Sequence, residues 1–507
     1  MPTDPHPHPH PDATPATTLA TTLASTLAPT LLDVAHLPID QLPHRVRIVP
    51  LRRPFDATIS PPGSKSLTNR ALLLAALARG TSTLTGALVD ADDAQVMLRA
   101  LRQLGATIDT EPASEVASAH RAHVPAQIPT APTAPTANAT LRVTGVAGRW
   151  TIAPAHRIEL MLNNAGTATR FLAAAALLQP ADAGGIVIDG NARMRQRPIA
   201  ELTAALTQLG APVTHLAAPG CPPILVQPLG PQPRAPELSL GRTSSSQFIS
   251  ALLLVAPFLP HGLTIQLTEP PTSAAYISMT LALFTRLGVP IVTSTHPHTT
   301  LHIAPHALNG FELAIEPDAS GATYFLAARA LITGSRLTIP GLDPMTSLQG
   351  DSQFTAVLER LAAPGHADID MAQMPDAAMT AAVVACFRDS PATLRGLRTL
   401  RVKETDRIAA LVTELAKLSV AVEPFAYIGT DGHPDEGVTI TPPLTPDGVR
   451  GIDCSTSAQP VAFDTYDDHR MAMSLALVGL RRPNVTINDP ACVRKTYPTF
   501  WRDLASL

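Results

Sequence analysis

The sequence predicts an α/β protein assembled from one repeated unit. Three observations carry the prediction. A small-residue apolar helix, a short β segment, a charged connector and an amphipathic helix recur in that order six times between residues 69 and 507. The small-residue helices are apolar on every face, which calls for burial on all sides. Each begins at a knot of polar residues. At 507 residues the chain has length for two or three domains.

The first copy spans 69–108, from "NRALLLAALARG" to the amphipathic "AQVMLRALRQLG". The second, 169–213, joins "TRFLAAAALL" to "IVID" and "IAELTAALTQLG". The third, 246–291, opens with "SQFISALLLV", and the fourth, 322–365, with "ATYFLAARAL". "AAMTAAVVACF" starts the fifth at 377–422, and "HRMAMSLALVGL" the last at 469–507. In the amphipathic helices apolar residues return every three or four positions, the spacing of one buried face. The β segments are rich in Val, Ile and Thr, which suit a pleated sheet.

Hydrophobic residues make up 45% and charged residues 15% of the chain, composition enough for a large core. A net charge of −4 argues against a broad nucleic-acid footprint. No apolar run approaches the roughly 18–20 residues of a membrane span. Cys221, Cys386, Cys454 and Cys492 lie far apart with no paired metal spacing, so free thiols in a reducing compartment are expected and no metal site. A soluble, cytoplasmic protein that binds no nucleic acid and no membrane follows as the expectation. Residues 1–47, rich in Pro, Thr, Ala and His, read as a disordered tail, and deletion of 1–44 is expected to leave activity almost unchanged. Residues 113–138 read as a low-complexity loop between strands.

The polar knots are "SKSLTNR", "NAGTATR", "SSSQF", "DASGAT", "PDAAMT" and "YDDHR". Ser, Thr, Asn and Asp at a helix start are first of all caps for unpaired N–H groups. Capping does not account for Lys65, Arg70, Arg170 or Arg470, because the helix dipole disfavours a cation there. Several cations set against several positive helix ends make sense when an anion sits between them. Lysine is rare here (Lys65, Lys403, Lys417 and Lys495), and three of the four lie in polar knots. "PGSKSLTNR" lacks the full spacing of a nucleotide-binding P-loop.

Further candidates follow the same logic. Gly166 and Thr167 suit close approach of a ligand, or helix packing. Arg193, Arg195 and Arg197 share one loop, as a solvated charge run or with Arg197 near the next helix start as an anion contact. Ser244, Ser245, Ser246 and Gln247 offer neutral donors. Asp376 is a helix cap or a general base. Lys403, Glu404, Asp406 and Arg407 form a salt-bridge cluster or a proton-transfer set. "TYDDHR" and "CVRKTYP" add Arg470 and Lys495.

Taken in order, these motifs resemble those of the 5-enolpyruvylshikimate-3-phosphate (EPSP) synthase family over residues 48–507. The resemblance implies a two-domain inside-out α/β barrel with six βαβαββ repeats, three per domain. One domain would comprise 48–62 plus 316–507, the other 63–315, with ligands in the cleft between. It implies transfer of the enolpyruvyl group of phosphoenolpyruvate to the 5-hydroxyl of shikimate 3-phosphate, releasing phosphate, by a monomer that needs no metal or organic cofactor. Lys65, Ser66, Arg70, Ser245, Ser246, Gln247, Ser273, Asp376 and Lys403 would contact shikimate 3-phosphate. Lys65, Gly166, Arg197, Gln247, Arg407, Arg470 and Lys495 would contact phosphoenolpyruvate. Asp376 would accept the 5-hydroxyl proton, with Glu404 and Lys65 moving protons at the methylene carbon.

Two positions depart from the family pattern. Thr399 stands where asparagine is frequent. Phe171 replaces a proline that influences the response to the inhibitor glyphosate. The sister family, UDP-N-acetylglucosamine enolpyruvyl transferase, carries a reactive cysteine in the loop matching "DGNARMRQRP", and this loop has none. A non-catalytic anion-binding relative would have lost the acid–base set that is present here.

Overall fold

A computed structural model describes residues 28–111, 139–230, 237–295, 298–445 and 448–507. Apolar burial divides it into two separate large cores. One is built from residues between 67 and 315, the central part of the chain. The other joins 31–59 to 324–504. We call the elements around them the central and terminal lobes.

Each lobe is organised by three of the small-residue helices. Lys65–Leu77, Gly166–Ala175 and Ser246–Val255 bury nearly every side chain in the central lobe. Ala319–Leu331, Ala378–Ala385 and His469–Gly479 do so in the terminal lobe. Alanine makes this possible, because small side chains let buried helices approach closely and leave no polar group unpaired.

Around the central helices lie three four-stranded sheets, each with one parallel and two antiparallel pairings. In one, Glu312–Ala314 pairs in parallel with Thr81–Ala87, so the last strand of the central segment completes the sheet of its first unit. The terminal lobe has one four-stranded sheet, in which Ala367–Asp370 pairs in parallel with Ala392–Arg395 and the hairpin Ala421–Ile428/Pro434–Thr441 follows. Its other sheets are smaller. Asp56–Thr58 pairs with Arg336–Thr338, and Val485–Asn488 lies between Arg45–Ile48 and Val461–Phe463. Six sheets flank six inner helices, the α/β plan the repeat implied, with two of the terminal units short of strands.

The chain crosses between lobes twice, side by side. Ser64 N donates to Glu316 O (2.8 Å) and Asp318 N to Pro62 O (2.8 Å). Gly63 sits at this crossing against the backbone of Gly86, where a Cβ has no room. Among the described residues no helix is long and apolar enough to cross a membrane.

The expectation of a structureless segment over 1–47 fails from residue 28 onward. Thr30 and Asp33 form a capping box at a short helix, Leu31–Val34, whose Leu31 and Val34 enter the terminal core. Arg45–Ile48 then adds an antiparallel strand to Val485–Asn488. Composition hid this, because the strand's partner is more than 400 positions away. Residues 1–27 and the 113–138 loop lie outside the described residues.

Leu31→Ala removes a side chain that is 3% exposed and is expected to destabilise the protein by about 2–4 kcal/mol. Leu32→Ala, at a position 61% exposed, serves as the near-neutral control when urea midpoints are compared.

Candidate active site

The N-termini of the inner helices face one another across the junction of the lobes, and two adjoining hollows open between them. The larger has free space of about 770 Å³ and the smaller about 310 Å³. Ser66, Arg70, Ser245, Ser246 and Ser273 line the larger hollow. Gly166, Glu404, Arg407 and Arg470 line the smaller. Lys65, Arg197, Gln247, Asp376 and Lys403 line both. Lys495 reaches the same place, 3.8 Å from Glu404 Oε1. Every residue that the family resemblance assigns to a substrate or to proton transfer is therefore brought to one cleft.

Local structure sets each group. Ser64 caps Lys65–Leu77, Ser245 caps Ser246–Val255 and Asp468 caps His469–Gly479, so the capping expectation holds for these side chains. Asp376 is different. It lies in a single turn, Pro375–Ala377, and caps nothing. Its carboxylate accepts from Arg407 Nη1 (3.0 Å) and sits 3.2 Å from both Lys403 Nζ and Arg470 Nη2. Tyr276 Oη donates to it at 3.3 Å. Burial pushes this carboxyl up, but Arg470, Lys403 and Arg407 prevail and hold it well below the usual carboxylate range.

Arg407 is the hub of the terminal side. It is 1% exposed and bonds Asp468 through Nε (2.8 Å) and Nη2 (3.1 Å), and Glu404 through Nη2 (3.0 Å). Glu404 is likewise held well down: burial opposes ionisation, while Arg407, Arg197 and Lys495 favour it. Burial lowers Lys403, against the pull of Asp376.

On the central side, Gly166 starts its helix with Arg197 laid across it. A Cβ there would stand 2.8 Å from Arg197 Nη2, so only glycine lets the guanidinium reach this helix end. Asn164 fixes Arg197 from below, accepting from Nη1 with Oδ1 (3.2 Å). Arg197 precedes helix Ala200–Gln208 by three residues rather than sitting at its first turn. Arg70 spends four of its donors on Thr280, Ser66, Ser250 and Tyr276, which leaves one of a guanidinium's five for a ligand. Its guanidinium lies 5.2 Å from the Phe171 ring, which places the departure at 171 against a residue of the cleft. Thr399 Oγ1 is buried against the larger hollow with no partner. Ser273 holds a left-handed backbone (φ 50°) beside the same hollow, a strained conformation for a non-glycine residue.

The three arginines of one loop have three fates. Arg195 pairs with Asp189 at the surface (2.6 Å). Arg197 enters the cleft. Arg193 crosses it and donates to the carbonyls of Glu404 (3.0 Å) and Lys403 (2.9 Å). Sequence reasoning passed over Asp93, Tyr276 and His469. Asp93 takes both Lys65 (3.1 Å) and Lys495 (2.8 Å). The His469 imidazole lines the smaller hollow, and burial keeps it neutral, its pKa well below the ordinary value. The "YDDHR" knot was a signal for His469; nothing local pointed to Tyr276.

The family described as "EPSP synthase (3-phosphoshikimate 1-carboxyvinyltransferase)" matches residues 51–150 and 133–504. The chain belongs to the EPSP synthase family. It is 35% identical over 478 residues to the 3-phosphoshikimate 1-carboxyvinyltransferase of Shewanella sediminis, covering 91% of this chain and 99% of that one. The protein of the same name from Shewanella denitrificans is 36% identical over 468 residues, 89% of this chain and 96% of its own length. A solved EPSP synthase structure from Acinetobacter baumannii shares the fold with a TM-score of 0.64 and 22% identity, over 90% of this chain and 96% of that one. Family membership and the enolpyruvyl transferase fold are thereby shown.

Asp351, near Arg470 and Asp376, offers a test of the cleft's electrostatics. Burial pushes its carboxyl up to about 7, and its Oδ1 finds no partner. A group that binds its proton more tightly when folded costs stability as pH rises from the unfolded carboxyl range, about 4, to the folded value. Asp351→Asn is accordingly expected to raise the urea midpoint at about pH 8, with the gain fading toward about pH 4. A gain independent of pH would contradict that cause.

Proposed function

We propose that this chain transfers the enolpyruvyl group of phosphoenolpyruvate to the 5-hydroxyl of shikimate 3-phosphate, giving EPSP and phosphate. The observation that carries this reading is the pair of adjoining hollows with a common wall of Lys65, Gln247, Asp376 and Lys403. A phosphorylated ring suits the larger, lined by serine hydroxyls. A three-carbon phosphate acid suits the smaller, ringed by arginines. The shared wall is where an oxygen of one would meet carbon 2 of the other.

Asp376 takes the proton as the 5-hydroxyl oxygen attacks carbon 2, and Glu404 and Lys65 serve the methylene carbon. Protonation there gives a tetrahedral intermediate with a methyl group. Loss of a methyl proton and departure of phosphate then restore the double bond. Arg470, Lys403 and Arg407 lower the proton affinity of Asp376. Its three cations are also the ones assigned to substrate, and anions arriving on them weaken their hold on the carboxylate, raising its basicity when the hydroxyl is in place. Positioning and fixed positive charge supply most of the acceleration.

We read the two cores as domains dividing near 62–63 and 315–316 and drawing together on ligands. A monomer is the working form, because residues of both subsites come from one chain. A cytoplasmic location accords with four free thiols, and small anions rather than nucleic acid accord with the net charge of −4.

Phosphate release is expected with both substrates and not when either is omitted, with no substitution by the nucleotide sugar of the sister family. Lys65→Ala and Asp376→Ala are each expected to lower turnover by at least about a hundredfold. Near-parental turnover in either variant refutes its assigned role.

A further inference from the structure

A carboxylate inside an anion-binding cleft works against its ligand unless it does something else. Asp93 is such a group. It lies in the first turn of helix Asp92–Gln103 and is 3% exposed. Its Oδ2 stands 3.1 Å from Lys65 Nζ, and its Oδ1 accepts from Lys495 Nζ at 2.8 Å. Lys65 belongs to the central lobe, whereas Lys495 comes from the turn Pro490–Lys495 of the terminal lobe. Lys495 Nζ also donates to Asn164 O at 2.8 Å, so both of its hydrogen bonds are to the central lobe. Asn164 in turn holds Arg197.

A second ion pair crosses at the same place. Asp92 and Arg494, the immediate neighbours, meet at 3.2 Å, but both are about half exposed, at 53%. A solvated pair of this kind contributes little, whereas a buried one is costly to break.

We propose that Asp93 is a positioning residue for the transfer. By holding one lysine on each oxygen, it relieves the repulsion between two neighbouring ammonium groups, one buried and one half-buried, and draws the terminal lobe's Lys495 toward the smaller hollow as the lobes meet. This rests on the proposed function, since it assigns those lysines to phosphoenolpyruvate.

Asp93→Asn preserves shape and removes the charge. It is expected to raise the KM for phosphoenolpyruvate by about tenfold or more, with a much smaller change for shikimate 3-phosphate. Asp92→Asn is expected to stay within about twofold of the parent. A merely structural role would not produce the third result: in a Lys495→Met background, Asp93→Asn should raise the KM for phosphoenolpyruvate by clearly less than it does alone, because only its contact with Lys65 then remains. An unchanged KM for phosphoenolpyruvate, or effects of Asp93→Asn and Lys495→Met that multiply, overturns the inference. If Asp93→Asn does not fold, Asp93→Glu keeps the charge on a longer arm and is read the same way, a raised KM supporting the inference and a parental one overturning it. A parent that releases no phosphate overturns the proposed function and this inference together, whereas an active parent with an indifferent Asp93→Asn overturns the inference alone.

Discussion

Cations buried at the N-termini of apolar helices meet two penalties at once, lost hydration and the positive end of the helix dipole. Arg407 and Arg470 lie in the first turns of their own helices and Arg197 across the start of another, with Lys403 and Lys495 beside them in one cleft. Partners must be found for them. The chain supplies some from within: Asp468 for Arg407, Asp93 for Lys495, and Asp376 shared among three cations. What the carboxylates leave unmatched is a demand for external anions. Much of the cleft's local structure serves that arrangement, from Gly166 beneath Arg197 to the strained backbone of Ser273.

The same constraint explains why the cleft needs two lobes. A single helix end can carry one or two cations, and the sequence around each is otherwise Ala and Leu. Concentrating charge requires several helix ends pointed inward, and the starts of five inner helices, three central and two terminal, line the two hollows. Because the chain leaves the terminal lobe at Gly63 and returns at Pro317, residues from both sides of the crossing share the cleft. Contacts such as Arg193 to the carbonyls of Lys403 and Glu404 then tie the position of these two residues to the meeting of the lobes.

Much of this was legible in the sequence, and for a physical reason. Burial on all faces leaves a mark on every position of the inner helices, so the sixfold unit was readable without any partner being known. Cations where the dipole forbids them were conspicuous against a lysine-poor background. What stayed hidden depends on distant pairing. Arg45–Ile48 is a strand because Val485–Asn488 is there to receive it. Asp93 looked like one of two acids at an ordinary helix start, where acids are favoured anyway. Asp376 left cap and base open from sequence; it caps nothing, and cations from two other segments gather on its carboxylate. Arg193 resembled its solvated neighbour Arg195 until the opposite lobe came into view.

The most direct measurement is a crystal structure of an Asp376→Asn variant with both substrates bound. The account expects phosphoenolpyruvate in the smaller hollow among Lys65, Arg197, Arg407, Arg470 and Lys495, and the phosphorylated ring in the larger one against Ser245, Ser246 and Ser273. Either ligand bound away from the cleft, with these cations still paired as they are here, would contradict it.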